Sequence, residues 1–137
     1  MKCMLDTNVL VSAALFPEGT CAAAYVRAVM PPCKSVVCDY VLDELTRVFQ
    51  RKFPHQLEAL ERFVSQLALS VEIVPTPPEA ERAENESVLS DAADRPILRA
   101  ALAAGVDLLI TGDKGFLEAA LDKPLCLSAA AFLQRVG

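Results

Sequence analysis

Five short apolar runs punctuate the chain, at residues 2–5, 34–38, 71–74, 107–111 and 124–127. They are rich in Val, Ile and Leu and do not alternate with polar residues, as expected of strands covered on both faces. Between them, hydrophobic positions recur at helical spacing. Residues 20–30 are Ala- and Val-rich and stop at Pro31-Pro32. Residues 40–52 set Val41, Leu45, Val48 and Phe49 near one face, and 56–69 repeat Leu57, Leu60, Phe63, Val64 and Leu67. Residues 96–104 form an Ala/Leu helix stopped by Gly105. Shorter helices are expected at 114–121 and 128–136, the last with Ser128 as its N-cap. The first helix assigned after the first strand is thus the one at 20–30. Strands alternating with helices predict βαβ units, a parallel sheet wrapped on both sides, and right-handed crossovers. Only 75–86, PTPPEAERAENE, breaks the rhythm. Pro-rich and then acidic, it predicts a loop followed by a surface helix.

At 137 residues the chain is expected to form a single domain, 1–137, burying roughly 68–70% of its unfolded surface. A hydrophobic share of 53% and a mean hydropathy of +0.34 fit a well-filled core and hint at a partner-binding face. The net charge of −5 argues against holding nucleic acid on a broad basic surface, which needs many Lys and Arg contacts to phosphate. It leaves room for a nuclease whose acids carry cations, because a bound ion reverses the local charge. Cys3, Cys21, Cys33, Cys38 and Cys126 form no CxxC pair and read as reduced thiols of a cytoplasmic protein. The only histidine, His55, has no partner for a zinc site. No signal peptide is expected and no apolar run reaches 18 residues, so no membrane association is predicted.

Why should a buried strand end in Asp-Thr-Asn, as MLDTNVL does? In a doubly wound sheet, ligands bind beyond the carboxyl ends of the strands. Asp6 follows the first strand and Asp113 follows the fourth. If those strands are neighbours, both acids face one crevice, with Gly112 allowing a sharp turn between Thr111 and Asp113. Asp94 precedes the helix that leads into the fourth strand, so it returns to the same rim. Glu44 lies one turn into the helix after the second strand, near that rim too. Taken singly, each acid is explained as a turn former, a helix cap or a solvated side chain. Together they form a set that a hard divalent cation would neutralise, and such an ion activates water and steadies charge on phosphate. Thr7, Asn8 and Thr111 are candidates to orient them. Asp91 is either a fifth acid or a loop residue. Arg47, Arg51 and Lys52 form a small basic strip, read as solvated.

At these residues the chain resembles the PIN-domain family of metal-dependent nucleases, most of all the bacterial toxins of toxin–antitoxin pairs. The matching stretches are LDTNVLVSA (5–13), VVCDYVLDELTRV (36–48), DAADRPILRAALAAGVDLLITGDKGFL (91–117) and LSAAAFL (127–133). The resemblance implies a three-layer α/β/α fold on a five-stranded parallel sheet ordered 3-2-1-4-5. It implies that Asp6, Glu44, Asp94 and Asp113 are catalytic and bind Mg²⁺ or Mn²⁺, with Asn8 and Thr111 in support. It further implies an RNA substrate, a small antitoxin partner and a homodimer. The chain departs from relatives at Arg95-Pro96, where an acid or Asn often follows the third acid, and at Cys38, where Ser is common. Arg95 is therefore a candidate to pair with a site carboxylate.

Two rival readings remain. A haloacid-dehalogenase-like phosphatase would use Asp6 as nucleophile, but it would show D-x-D where this chain has D-T-N. A catalytically weak PIN-fold binding module would keep the fold for a partner alone.

Overall fold

The computed structural model describes residues 1–119 and 121–136; Ala120, inside the helix expected at 114–121, and Gly137, at the end of the expected domain, lie outside them. In chain order the elements are β1 (Lys2–Leu5), α1 (Thr7–Leu15), α2 (Thr20–Ala28), β2 (Lys34–Cys38), α3 (Asp39–Lys52), α4 (Leu57–Ser70), β3 (Glu72–Val74), α5 (Arg95–Ala103), β4 (Leu108–Ile110), α6 (Lys114–Leu117), β5 (Leu125–Leu127) and α7 (Ala129–Val136). All five strands are parallel, in the order β3-β2-β1-β4-β5. This is the expected α/β/α architecture and strand order. β1 and β4 are direct neighbours, with Leu5 opposite Ile110, so their carboxyl ends open onto the same rim.

The central strands are solid with apolar atoms, as their unalternating sequences require. Cys3, Met4, Leu5, Val36, Val37, Leu109 and Ile110 are all buried, and Phe49, Phe116 and Phe132 close the layers above and below. All five cysteines are free thiols. Ser128 does cap α7, accepting from the Ala131 N–H at 3.1 Å. Gly105 ends α5 at φ 68°, in the left-handed region that favours glycine. Among the described residues, no single helix is long and apolar enough to cross a membrane.

Three expectations fail, each for a physical reason. Residues 7–15, TNVLVSAAL, are a helix. Their β-branched residues and the narrow polar face of Asn8 and Ser12 hide the helical period, but Asp6 caps the segment and it buries Thr7, Val9, Leu10 and Ala13. The stretch 75–86 holds no surface α-helix, only one exposed 3-10 turn at Glu79–Glu81; a second turn starts at its end, Glu86–Val88, where Glu86 is turned inward to Arg99. Gly112 is not left-handed, so no unusual turn requires it; its N–H instead donates to Asn8 Oδ1 at 3.1 Å.

Candidate active site

The backbone of β1 runs on past Leu5 for one more ladder bond, Asp6 N–H to Ile110 C=O at 3.0 Å, before α1 begins. That delivers Asp6 to the rim, 4% exposed. Both its oxygens are engaged: Oδ1 accepts from the Thr7 N–H at 2.8 Å, and Oδ2 from the Thr111 hydroxyl at 2.6 Å. Burial pushes its pKa up to about 6; those two hydrogen bonds oppose the shift, and the charges of Glu44 and Asp113 add to it. Thr111 is wholly buried and also accepts from the Asp113 N–H at 3.0 Å, so one hydroxyl ties both acids to the end of β4. Asp113 caps α6 through the Gly115 N–H at 2.7 Å. The modest readings of these residues and the sharper ones are therefore both true: the same carboxylates cap helices and face the crevice.

Asp94 reaches the rim from the other direction, at the start of α5. It stands at the N-cap position but makes no capping bond with its side chain. It is 6% exposed, and its Oδ2 is buried with no hydrogen-bond partner. Burial raises its pKa, and the neighbouring Asp113 charge raises it further. Glu44, on α3, accepts a hydrogen bond from the Thr7 hydroxyl. Asp91 is exposed and caps the turn before α5 through the Ala93 N–H at 2.9 Å. A cavity of about 390 Å³ gathers Asp6, Glu44, Asp91, Asp94 and Asp113, together with Thr7 and Asn8.

The cavity is not a finished cage. Among the described residues, no three His, Cys, Asp or Glu side chains stand close enough to hold one ion as placed. The chemistry still fits one. Every charged donor at this end is a carboxylate oxygen, the ligand type of hard divalent cations, and Asp94 Oδ2 has no other use.

Three features were not expected from the sequence. Gly115 sits where a Cβ would come within 3.1 Å of Asp113 Oδ1 and 3.2 Å of Asp94 Oδ2, so its missing side chain lets the two carboxylates close up. Arg95 does not pair with a site acid; its Nε–H donates to the Leu89 carbonyl at 3.0 Å. Lys52, read as part of a solvated strip, lines the same cavity as Asp6. A glycine two residues after an acid carries no signal of its own, and the position of Lys52 depends on where α3 lies against α1.

Comparison with known proteins agrees with this architecture. No curated protein sequence matches the chain. Among solved structures, VapBC2 from Rickettsia felis, bound to a DNA fragment from their promoter, is similar over 93% of this chain and 98% of that one, with a TM-score of 0.68 at 18% identity. PAE2754 from Pyrobaculum aerophilum matches 99% of this chain and 95% of that one, at a TM-score of 0.71 and 16% identity. VapC20 from Mycobacterium tuberculosis, a sarcin-ricin loop cleaving toxin, covers 81% of this chain and 89% of its own, at a TM-score of 0.57 and 14% identity. At such identities these likenesses bear on the fold alone. The PIN domain family itself matches residues 2–115, most of the sequence, and the chain belongs to that family.

Proposed function

We propose that this chain, 1–137, is one PIN-like domain acting as a metal-dependent endoribonuclease, the toxin of a toxin–antitoxin pair. The observation that carries the reading is the convergence of Asp6, Glu44, Asp94 and Asp113 on one cavity, with Asp94 Oδ2 buried and unpartnered. Mg²⁺ or Mn²⁺ is the cofactor that these oxygens suit. Such an ion would screen the carboxylates, polarise a phosphodiester and make water a better nucleophile. Asp6 and Asp94 are the main ligands; Glu44 and Asp113 complete the set or orient the attacking water. Thr111 fixes the Asp6 carboxylate and the Asp113 backbone, while Asn8 ties the start of α1 to Gly112.

Membership of the PIN domain family supports RNA as substrate. Family resemblance supports a small antitoxin that covers the crevice, a homodimer, and a cytoplasmic setting. The test is calorimetric titration of Mn²⁺ and Mg²⁺ on the wild type and on the Asp6→Ala, Asp94→Ala double variant, paired with cleavage of single-stranded RNA. Binding confined to the wild type, and loss of cleavage in folded Asp6→Ala, is expected. Cleavage retained by pure Asp6→Ala would overturn the mechanism. A wild type that binds no divalent cation would leave the weak binding module as the better account.

A further inference from the structure

The cavity that holds the acids is longer than a metal site needs. It follows the groove between α1 and α3, past Glu44 to Lys52. Eight residues separate those two on α3, a span of about 12 Å at helical rise. Its character changes along the way. The rim end is acidic, Val11, Val48 and Ile97 add apolar wall, and the end of α3 brings Phe53 and Lys52, the only cation among the described lining residues. Lys52 forms no ion pair with any described carboxylate, so its charge is free to be used. Phe53 is half-buried at the end of α3, its ring 5.6 Å from that of Phe49. Phe49 is wholly buried and meets the Phe53 ring at a tilt of 58°, which anchors it from the core side. A volume of about 390 Å³ lies within the range of small-ligand sites, roughly 300–1,000 Å³.

We propose that Phe53 and Lys52 form a nucleotide subsite beside the acidic centre, in which Phe53 stacks on a base of single-stranded RNA and Lys52 contacts the adjoining phosphate. The subsite rests on the ribonuclease reading above and extends it. A cation next to a half-buried aromatic ring matches the two parts of a nucleotide, an anionic phosphate and a flat apolar base. It also answers a difficulty that the net charge of −5 creates. With so little basic surface, the chain holds a polyanion by a few placed contacts rather than by a broad field.

The experiment measures anisotropy of a fluorescein-labelled, mixed-sequence, ten-nucleotide single-stranded RNA in Ca²⁺, with the probe checked for integrity on a gel. Cleavage of the same RNA in Mn²⁺ is followed in parallel. Lys52→Gln should reduce the slope of log affinity against log salt by about 0.7, the share of one phosphate on a single strand, and Lys52→Arg should restore it. Phe53→Leu should weaken binding roughly 5- to 150-fold, and Phe53→Tyr, which keeps the ring, should hold near wild type. A purely structural Phe53 would change stability without this split between Leu and Tyr. If the wild type binds and cleaves RNA but neither slope nor affinity moves in the variants, the subsite is overturned and the nuclease stands. Variants that keep RNA yet lose a co-expressed small protein partner would assign the groove to that partner, against the subsite. A wild type that neither binds nor cleaves RNA would end both readings.

Discussion

Asp6 and Asp94 are both buried carboxylates at one cavity, but they arrive on unlike scaffolds. Asp6 hangs from β1, which lies in the middle of the sheet between β2 and β4, its own residues Cys3, Met4 and Leu5 wholly buried. Both its oxygens are bonded. Asp94 closes the long connection 75–94, which contains no strand and no α-helix, and one of its oxygens has no partner. That connection is held by a polar clasp. Arg99 Nε–H meets Glu86 Oε2 at 3.1 Å and its Nη1 donates to the Pro77 carbonyl at 2.7 Å, while the Ala83 N–H donates to the same Glu86 oxygen at 3.0 Å. Strand β1 and the Thr111 hydroxyl position Asp6, whereas the connection that leads to Asp94 leans on a buried ion pair, whose loss strands a charge.

The clasp is therefore the place to separate the two halves. Arg99→Met leaves Glu86 buried and unpaired, and should cost about 3–5 kcal/mol in urea unfolding. Hydrogen exchange should show 75–94 opening first, with β1 and β4 still protected. Uniform loss of protection would mean that the two scaffolds are a single cooperative unit.

Charge gives a second separation. The folded pKa of Asp6, about 6, lies above the ordinary 3.8, so the native state holds that proton more tightly than the unfolded chain does. Its contribution is complete below the unfolded value and is lost as pH rises through about 6. The shift corresponds to about 3 kcal/mol. Asp94 moves in the same direction. Metal-free protein should thus melt higher at pH 5 than at pH 7.5, Asp6→Asn should flatten the profile, and Mn²⁺ should raise the pH 7.5 midpoint. A midpoint that climbs steadily from pH 5 to 7.5 without metal would contradict the site's electrostatics.

Thr111→Val tests the rigid half alone. It preserves shape but removes the donor to Asp6 Oδ2 and the acceptor for the Asp113 N–H. The expected loss is about 1–3 kcal/mol in denaturant unfolding, together with a further upward shift of the Asp6 titration seen by carboxylate NMR.

The same division governs what could be read from the sequence. β1 and β4 were legible because a strand covered on both faces writes an uninterrupted apolar run, and an acid directly after it needs no further information to be placed. Asp94 was legible only through Pro96, which fixes where α5 begins. The clasp was not legible. ENES at 84–87 looks like solvent-facing polarity, and only the arrival of Arg99 from thirteen residues on makes Glu86 interior. α1 is hard to read because TNVLVSAAL is short and mostly apolar, with only Thr7, Asn8 and Ser12 polar, a pattern shared by buried helices and buried strands. Lys52 reads as solvated in the sequence because one-dimensional spacing does not say which helix faces which.

The gentlest perturbation bears most directly on whether the two halves meet over one ion. Gly115 lies between them, its N–H on Asp113 and its missing Cβ facing both Asp113 Oδ1 and Asp94 Oδ2. An alanine there must push at least one carboxylate back by a few tenths of an ångström. In α6 the same change brings a helix-propensity gain of up to about 1 kcal/mol, which offsets the crowding. The melting temperature of Gly115→Ala should therefore stay close to wild type, while its Mn²⁺ affinity falls on the order of tenfold, as when a supporting residue of a metal site is disturbed. Unchanged affinity would show that Asp94 and Asp113 do not close on a common cation, and that the connection 75–94 brings its acid to the rim for another purpose.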